Sequence, residues 1–94
     1  MARLNNASVE SPEKVMARVQ VQYFAVLRER AGRSSEQVET QGNTARELFA
    51  ELDQRYRFPR LASLKVAIND EFRDWDTRIS DGDSVVFIPP VAGG

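Results

Sequence analysis

Few residues in this chain are equipped for chemistry, and that scarcity directs attention to its last residues. The 94 residues include no cysteine and no histidine. The thiolate nucleophile, the commonest general base and the commonest metal ligand are therefore all missing. Composition alone disfavours a self-sufficient hydrolase or a zinc site. What remains is an α-carboxylate with an unusual approach, Pro89-Pro90-Val91-Ala92-Gly93-Gly94. Neither proline has an N–H to give to a strand ladder and both hold φ near one value, so the pair is a stiff joint. The four residues beyond it reach at most roughly 13 Å, at about 3.3 Å per extended residue. Gly93 and Gly94 carry no Cβ, so a narrow channel could admit them. The pattern predicts a thin arm, residues 91–94, that carries the carboxylate of Gly94 away from the folded surface. Glycine-rich ends are often merely disordered. The strand and joint directly before this one favour a working terminus.

Other candidates are weaker. Asp74, Asp76, Asp81 and Asp83 could be imagined around a hard cation, but their spacing is not that of a calcium loop, and Asp81-Gly82-Asp83 is what a turn before a strand wants. No metal site is expected. Arg28-Glu29-Arg30 reads as an exposed, solvated turn rather than an anion or partner site. Trp75 reads as partly buried core rather than a recognition aromatic.

The elements that must position the terminus follow from periodicity. Met1 to Ala17 is polar and without a convincing period, so residues 1–15 are expected to be a flexible leader and residues 16–94 one domain. Arg18 to Phe24 alternates strictly, which marks a strand with one buried face. Val19, Val21 and Tyr23 point one way and Phe24 the other, among glutamines. Ala25 to Ala31 reads as a short helical turn closed by Gly32. Ser34 to Gln41 is a weakly apolar strand that belongs at an edge. Thr44 and Glu47 form a capping box, and Ala45, Leu48, Phe49, Leu52 and Tyr56 recur on one helical stripe. Leu64 to Asn69 is a third strand, Asn69-Asp70 a turn, and Phe72 to Trp75 a short strand before an irregular return. Ser84 to Ile88 is a largely buried strand.

The expected fold is α+β: a mixed sheet of four to five strands with one main helix packed on one face. The first and last strands are far apart in sequence and can pair in parallel at the centre. That places Phe24, Val86 and Ile88 together on the open face, beside the root of the arm. Apolar residues converging on a face that ought to be wet point to a protein partner. The net charge of −1 gives no electrostatic footprint for nucleic acid. No run is long enough to span a membrane, and no signal peptide is evident, so a cytoplasmic location is expected.

These residues resemble a known family. Val21-Gln22-Tyr23-Phe24-Ala25, Leu27-Arg28-Glu29 closing on Gly32, Asp81-Gly82-Asp83 and Pro89-Pro90-Val91-Ala92-Gly93-Gly94 are similar to the small subunit of molybdopterin synthase, a ubiquitin-like sulfur carrier of β-grasp fold. The resemblance covers residues 16–94 and is most specific in the tail. It implies that an adenylating enzyme activates Gly94 with ATP and that a sulfur donor converts the acyl adenylate to a thiocarboxylate. It further implies that the large synthase subunit, in a heterotetramer, takes that sulfur into a cyclic pterin phosphate. Gly94 and Gly93 would be the reacting terminus. Phe24, Val86, Ile88, Pro89, Pro90, Val91 and Ala92 would meet partners, whose own residues supply the catalysis. No bound cofactor is implied. A thiamine-pathway carrier shares the fold and chemistry but fits the double proline and the Arg28-Glu29 turn less well. A ubiquitin-like modifier would instead join Gly94 to a lysine.

Overall fold

The computed structural model describes residues 16–90. The expectations for the leader, 1–15, and for the arm, 91–94, lie outside the described residues.

Seven elements appear in the order β-α-β-α-β-β-β: β1 Ala17–Tyr23, α1 Ala25–Ala31, β2 Ser35–Thr40, α2 Ala45–Tyr56, β3 Lys65–Ile68, β4 Glu71–Arg73 and β5 Ser84–Ile88. They form one five-stranded sheet in the order β2-β1-β5-β3-β4. The first and last strands lie side by side and parallel, with Val21 opposite Val85 and Tyr23 opposite Phe87. Every other pairing is antiparallel.

The expected helical turn is a full helix of seven residues, so the described residues hold a second, shorter helix beside the main one. Phe24 is not part of β1 but the N-cap of α1. Its backbone is still extended, at φ −125° and ψ 152°, so its side chain keeps the alternation and faces away from that of Tyr23. Gly32 closes α1 at φ 76°, its N–H bonding the oxygen of Arg28 at 2.9 Å.

In α2 the Thr44 hydroxyl accepts from the N–H of Glu47 at 3.2 Å, as expected of the cap. The Glu47 carboxylate reaches one residue further back than the usual box, to the N–H of Asn43 at 2.6 Å. Ala45, Leu48 and Leu52 are fully buried. The helix ends at Arg57, left-handed at φ 60°, two residues before Pro59. Asn69 and Asp70 both take positive φ, 53° and 72°, the signature of a tight type I′ hairpin between β3 and β4. Asp81-Gly82-Asp83 is a turn with Gly82 at φ 90°. Its carboxylates are occupied: Asp81 accepts from the Arg18 N–H at 2.8 Å, and Asp83 from the Ser80 N–H at 2.7 Å.

The core lies between the sheet and α2. It joins Val19, Val21 and Tyr23 of β1 to Val85 and Phe87 of β5 and to Leu48 and Leu52. Phe58, just past α2, is also buried and contacts Tyr23 with ring centroids 5.9 Å apart. Phe49 and Trp75 are half-buried and complete an aromatic cluster over Phe87.

Candidate functional site

β5 is the last element before the terminus. Its alternation puts Val85 and Phe87 into the core and leaves Val86 and Ile88 half-buried on the other face. Pro89 is half-buried and Pro90 exposed, so the joint straddles the boundary between fold and solvent. Val91, Ala92, Gly93 and Gly94 lie outside the described residues.

The register assembles the open face around this root. Val86 sits between Gln22 of β1 and Ala67 of β3, and Ala67 opposes Phe72 of β4. Ile88 opposes Lys65. Phe24 directly follows Tyr23, the partner of Phe87, so the parallel register sets Phe24 beside Ile88. The structure thus brings Phe24, Val86, Ile88 and Pro89 together at one end of the sheet. Phe24 is 39% exposed and Phe72 is 67% exposed. Ala67 is buried yet stands outside the helix-side core cluster.

Phe72 extends the apolar row across the sheet, and the sequence reading does not count it as a contact residue. In sequence it is one apolar residue between Glu71 and Arg73. Only the pairing of Phe72 with Ala67 shows which face it takes. Asn69-Asp70 as a two-residue hairpin turn sets Phe72 opposite Ala67 and would have been the signal.

Behind the root, a carboxylate clasp ties three elements. Glu36 Oε2 accepts from the hydroxyls of both Tyr23 and Tyr56 at 2.6 Å, and Glu36 Oε1 accepts from Arg33 at 3.3 Å. Burial, and then the Glu36 carboxylate, raise the pKa of the Tyr23 phenol well above its ordinary value. The same two causes act in the same direction on Tyr56. Neutral tyrosines keep the donors that the clasp needs.

Among the described residues no three histidine, cysteine or acidic side chains gather to hold a metal. No helix there is long and apolar enough to cross a membrane. Arg28 and Glu29 are exposed on α1, and Trp75 is half-buried in the core. What the described body offers is an apolar face that ends at a proline joint.

Residues 21–94 match the ThiS family. Over 85 residues the chain is 39% identical to the molybdopterin synthase sulfur carrier subunit of Mycobacterium tuberculosis, covering 84% of this chain and all of that one. The solved structure of a molybdopterin converting factor subunit 1 from Pyrococcus furiosus superposes with a TM-score of 0.71 at 32% identity, over 80% of this chain and 99% of its own. Small archaeal modifier protein 1 of Methanosarcina acetivorans gives 0.70 at 25% identity, over 85% and 99%. Subunits 1 and 2 of the molybdopterin-converting factor from Helicobacter pylori have been solved as a protein–protein complex. That structure matches with a TM-score of 0.56 at 30% identity, over 82% and 99%. These likenesses identify the architecture as the ubiquitin-like β-grasp.

Proposed function

The chain belongs to the ThiS family, and we propose that it is the sulfur carrier subunit of a molybdopterin synthase, loaded at Gly94. The observation that carries this reading is the diglycine end beyond a proline joint, rooted beside an open apolar face, in a chain with such relatives. Loading takes two displacements, the first at phosphorus and the second at the Gly94 carbonyl carbon. A carboxylate oxygen of Gly94 attacks the α-phosphate of ATP, and pyrophosphate leaves. A persulfide on the donor then attacks the acyl carbon and AMP leaves; a thiol reduces the S–S bond of the resulting acyl disulfide, which frees the thiocarboxylate and leaves the two thiol sulfurs joined as a disulfide. The adenylating enzyme and the donor supply the catalytic groups, and this chain supplies the reacting terminus.

The open face is the grip for the large synthase subunit. Phe24, Val86 and Ile88 form its base, Phe72 its far edge, and Pro89 and Pro90 direct Val91, Ala92, Gly93 and Gly94 into the partner's channel. A complex of the two subunits in a relative supports this pairing. In this role Gly93 and Gly94 let the arm pass where a Cβ would crowd the channel. The setting is the cytoplasm, where ATP is at hand.

Intact mass after incubation with the adenylating enzyme, ATP and a sulfur donor tests the reading. Exchange of one oxygen for sulfur at the terminus is expected, and deletion of Gly94 should abolish it while leaving the thermal melt unchanged. The likeness to an archaeal modifier favours a second reading, conjugation of Gly94 to lysine. A lysine conjugate with no thiocarboxylate would replace the first reading with the second.

A further inference from the structure

One charged region has no part in the function above. Residues 24–33 and 53–60 hold Arg28, Arg30, Arg33, Arg55, Arg57 and Arg60 against only Glu29 and Asp53, a net of +4 in a chain whose total is −1. The rest of the chain therefore sums to −5. The two segments meet in space: Arg30 Nη1 donates to the backbone oxygen of Arg57 at 2.6 Å. The Arg55 guanidinium lies 5.9 Å from the ring centre of Tyr56, and Tyr56 shares the Glu36 carboxylate with Tyr23. Tyr23 flanks Phe87, one residue before Ile88 and two before the proline joint. The cations thus gather at the end of the molecule from which the tail departs.

Within this group Arg33 and Arg60 have carboxylate partners at 3.3 Å. Arg28, Arg30, Arg55 and Arg57 are exposed and have no carboxylate within 4.0 Å among the described residues. Elsewhere on the surface Arg18, Arg46 and Arg73 each find a carboxylate at 3.0 Å or less, and Lys65 and Arg78 stand singly without one within 4.0 Å among the described residues. Helix ends explain part of the pattern, since Arg28, Arg30 and Arg55 stand in last turns, where a cation offsets the dipole. A dipole end calls for about half a charge, and this surface carries several that repel one another. The arginines do not converge on a cavity either. The two grooves that Trp75 lines, one along β4 and the other beside Phe49 and Leu61, contain none of these four. An exposed spread of guanidinium groups suits the carboxylates of a protein better than one small phosphate.

We propose that this arginine end is a second docking surface, complementary to a carboxylate-rich rim around the mouth of the large synthase subunit that receives the tail. This rests on the carrier function given above. The apolar face holds the complex together, and the arginine end steers the tail toward the channel. Charges at the edge of an interface act mainly on the association rate and are screened by salt.

The experiment measures association of the full chain with the large subunit by stopped flow, from about 0.01 M to about 0.5 M salt. Arg28→Glu with Arg57→Glu reverses one charge on each segment and removes no hydrogen bond made by those side chains. The expected result is an association rate about tenfold lower at low salt, converging with wild type at high salt, with dissociation little changed. The neutral pair Arg28→Gln with Arg57→Gln should fall between, and it keeps the test valid if the reversed pair folds poorly. An unchanged rate in both variants, or a wild-type rate insensitive to salt, overturns the proposal. So does a variant that slows only adenylation, which would assign the surface to the other enzyme. So does competition by inorganic phosphate at constant ionic strength, which would make the region a small-anion site. Wild-type loading at Gly94 is scored separately by mass, so failure of the carrier function and failure of steering are distinguishable.

Discussion

The two faces of β5 carry nearly the same residues and live in different surroundings. Val85 and Phe87 are fully buried, whereas Val86 and Ile88, one step along the same strand, are half-buried. The inner pair is roofed by α2 and by the rings of Phe49 and Trp75, at 5.0 and 5.9 Å from Phe87. The outer pair has neighbours within the sheet, Gln22, Ala67 and Lys65, and among the described residues no helix or strand layered above them. The contrast teaches that the apolar character of a strand and its burial are separate choices. A face meant only for water would put polar residues at 86 and 88. On the docking role proposed above, burying this face against a second protein would gain about 25 cal/mol per Å² of apolar surface.

The contrast can be broken by substitution. Phe87→Ala should destabilise the domain by about 3–5 kcal/mol, measured by denaturant unfolding. Leu52→Ala, in the roof over the same face, should remove about 2–5 kcal/mol. Ile88→Lys should change stability by no more than about 0.5 kcal/mol. It should nevertheless weaken association with the large subunit at least about tenfold, or about 1.4 kcal/mol. If Ile88→Lys melts the protein as Phe87→Ala does, the two faces are energetically alike and the docking role of the outer one fails. Phe24→Lys sharpens the same point, because unaltered association would remove Phe24 from the interface. Thr44→Ala, away from both faces, should cost about 1 kcal/mol through the lost cap of α2.

The smallest effect at neutral pH is that of the tyrosine clasp. Folding raises the pKa of both Tyr23 and Tyr56. The unfolded chain therefore loses these protons first, near pH 10. Their contribution is fully present below that pH and is lost as pH rises beyond it. Thermal melts should be flat in this respect through neutrality and fall above about pH 10. Replacing both tyrosines by phenylalanine should flatten that alkaline decline.

Much of this arrangement was legible in the chain. The strict alternation of Val19, Val21 and Tyr23, the Thr44 cap and the helical stripe through Leu52 are local patterns, and each appears where local physics puts it. The central parallel pairing was also inferable, because a buried last strand needs a partner on each side. What escaped were features made by distant parts meeting. Phe58 reads as a loop residue until Tyr23 and Phe49 close on it. Thr40 is buried because its hydroxyl donates to Glu51 at 2.5 Å and accepts from the Gly42 N–H at 2.9 Å. Glu36 looks like any edge-strand acid until two tyrosines converge on it. Ala25 to Ala31, read as a short helical turn closed by Gly32, extends to a seven-residue helix that length alone does not promise. Its end is fixed instead by the left-handed Gly32, and its inner side by burial of Leu27 and Ala31.

The single indole offers a last consequence. Trp75 lies parallel to Phe87, 6° from coplanar, on the closed side of the sheet. Its fluorescence therefore reports on the interior, on the side away from the proposed docking face. Emission that stays constant during complex formation would mean the sheet acts as a rigid wall between the two compartments. A spectral shift would mean that capture on one side is felt by the packing on the other.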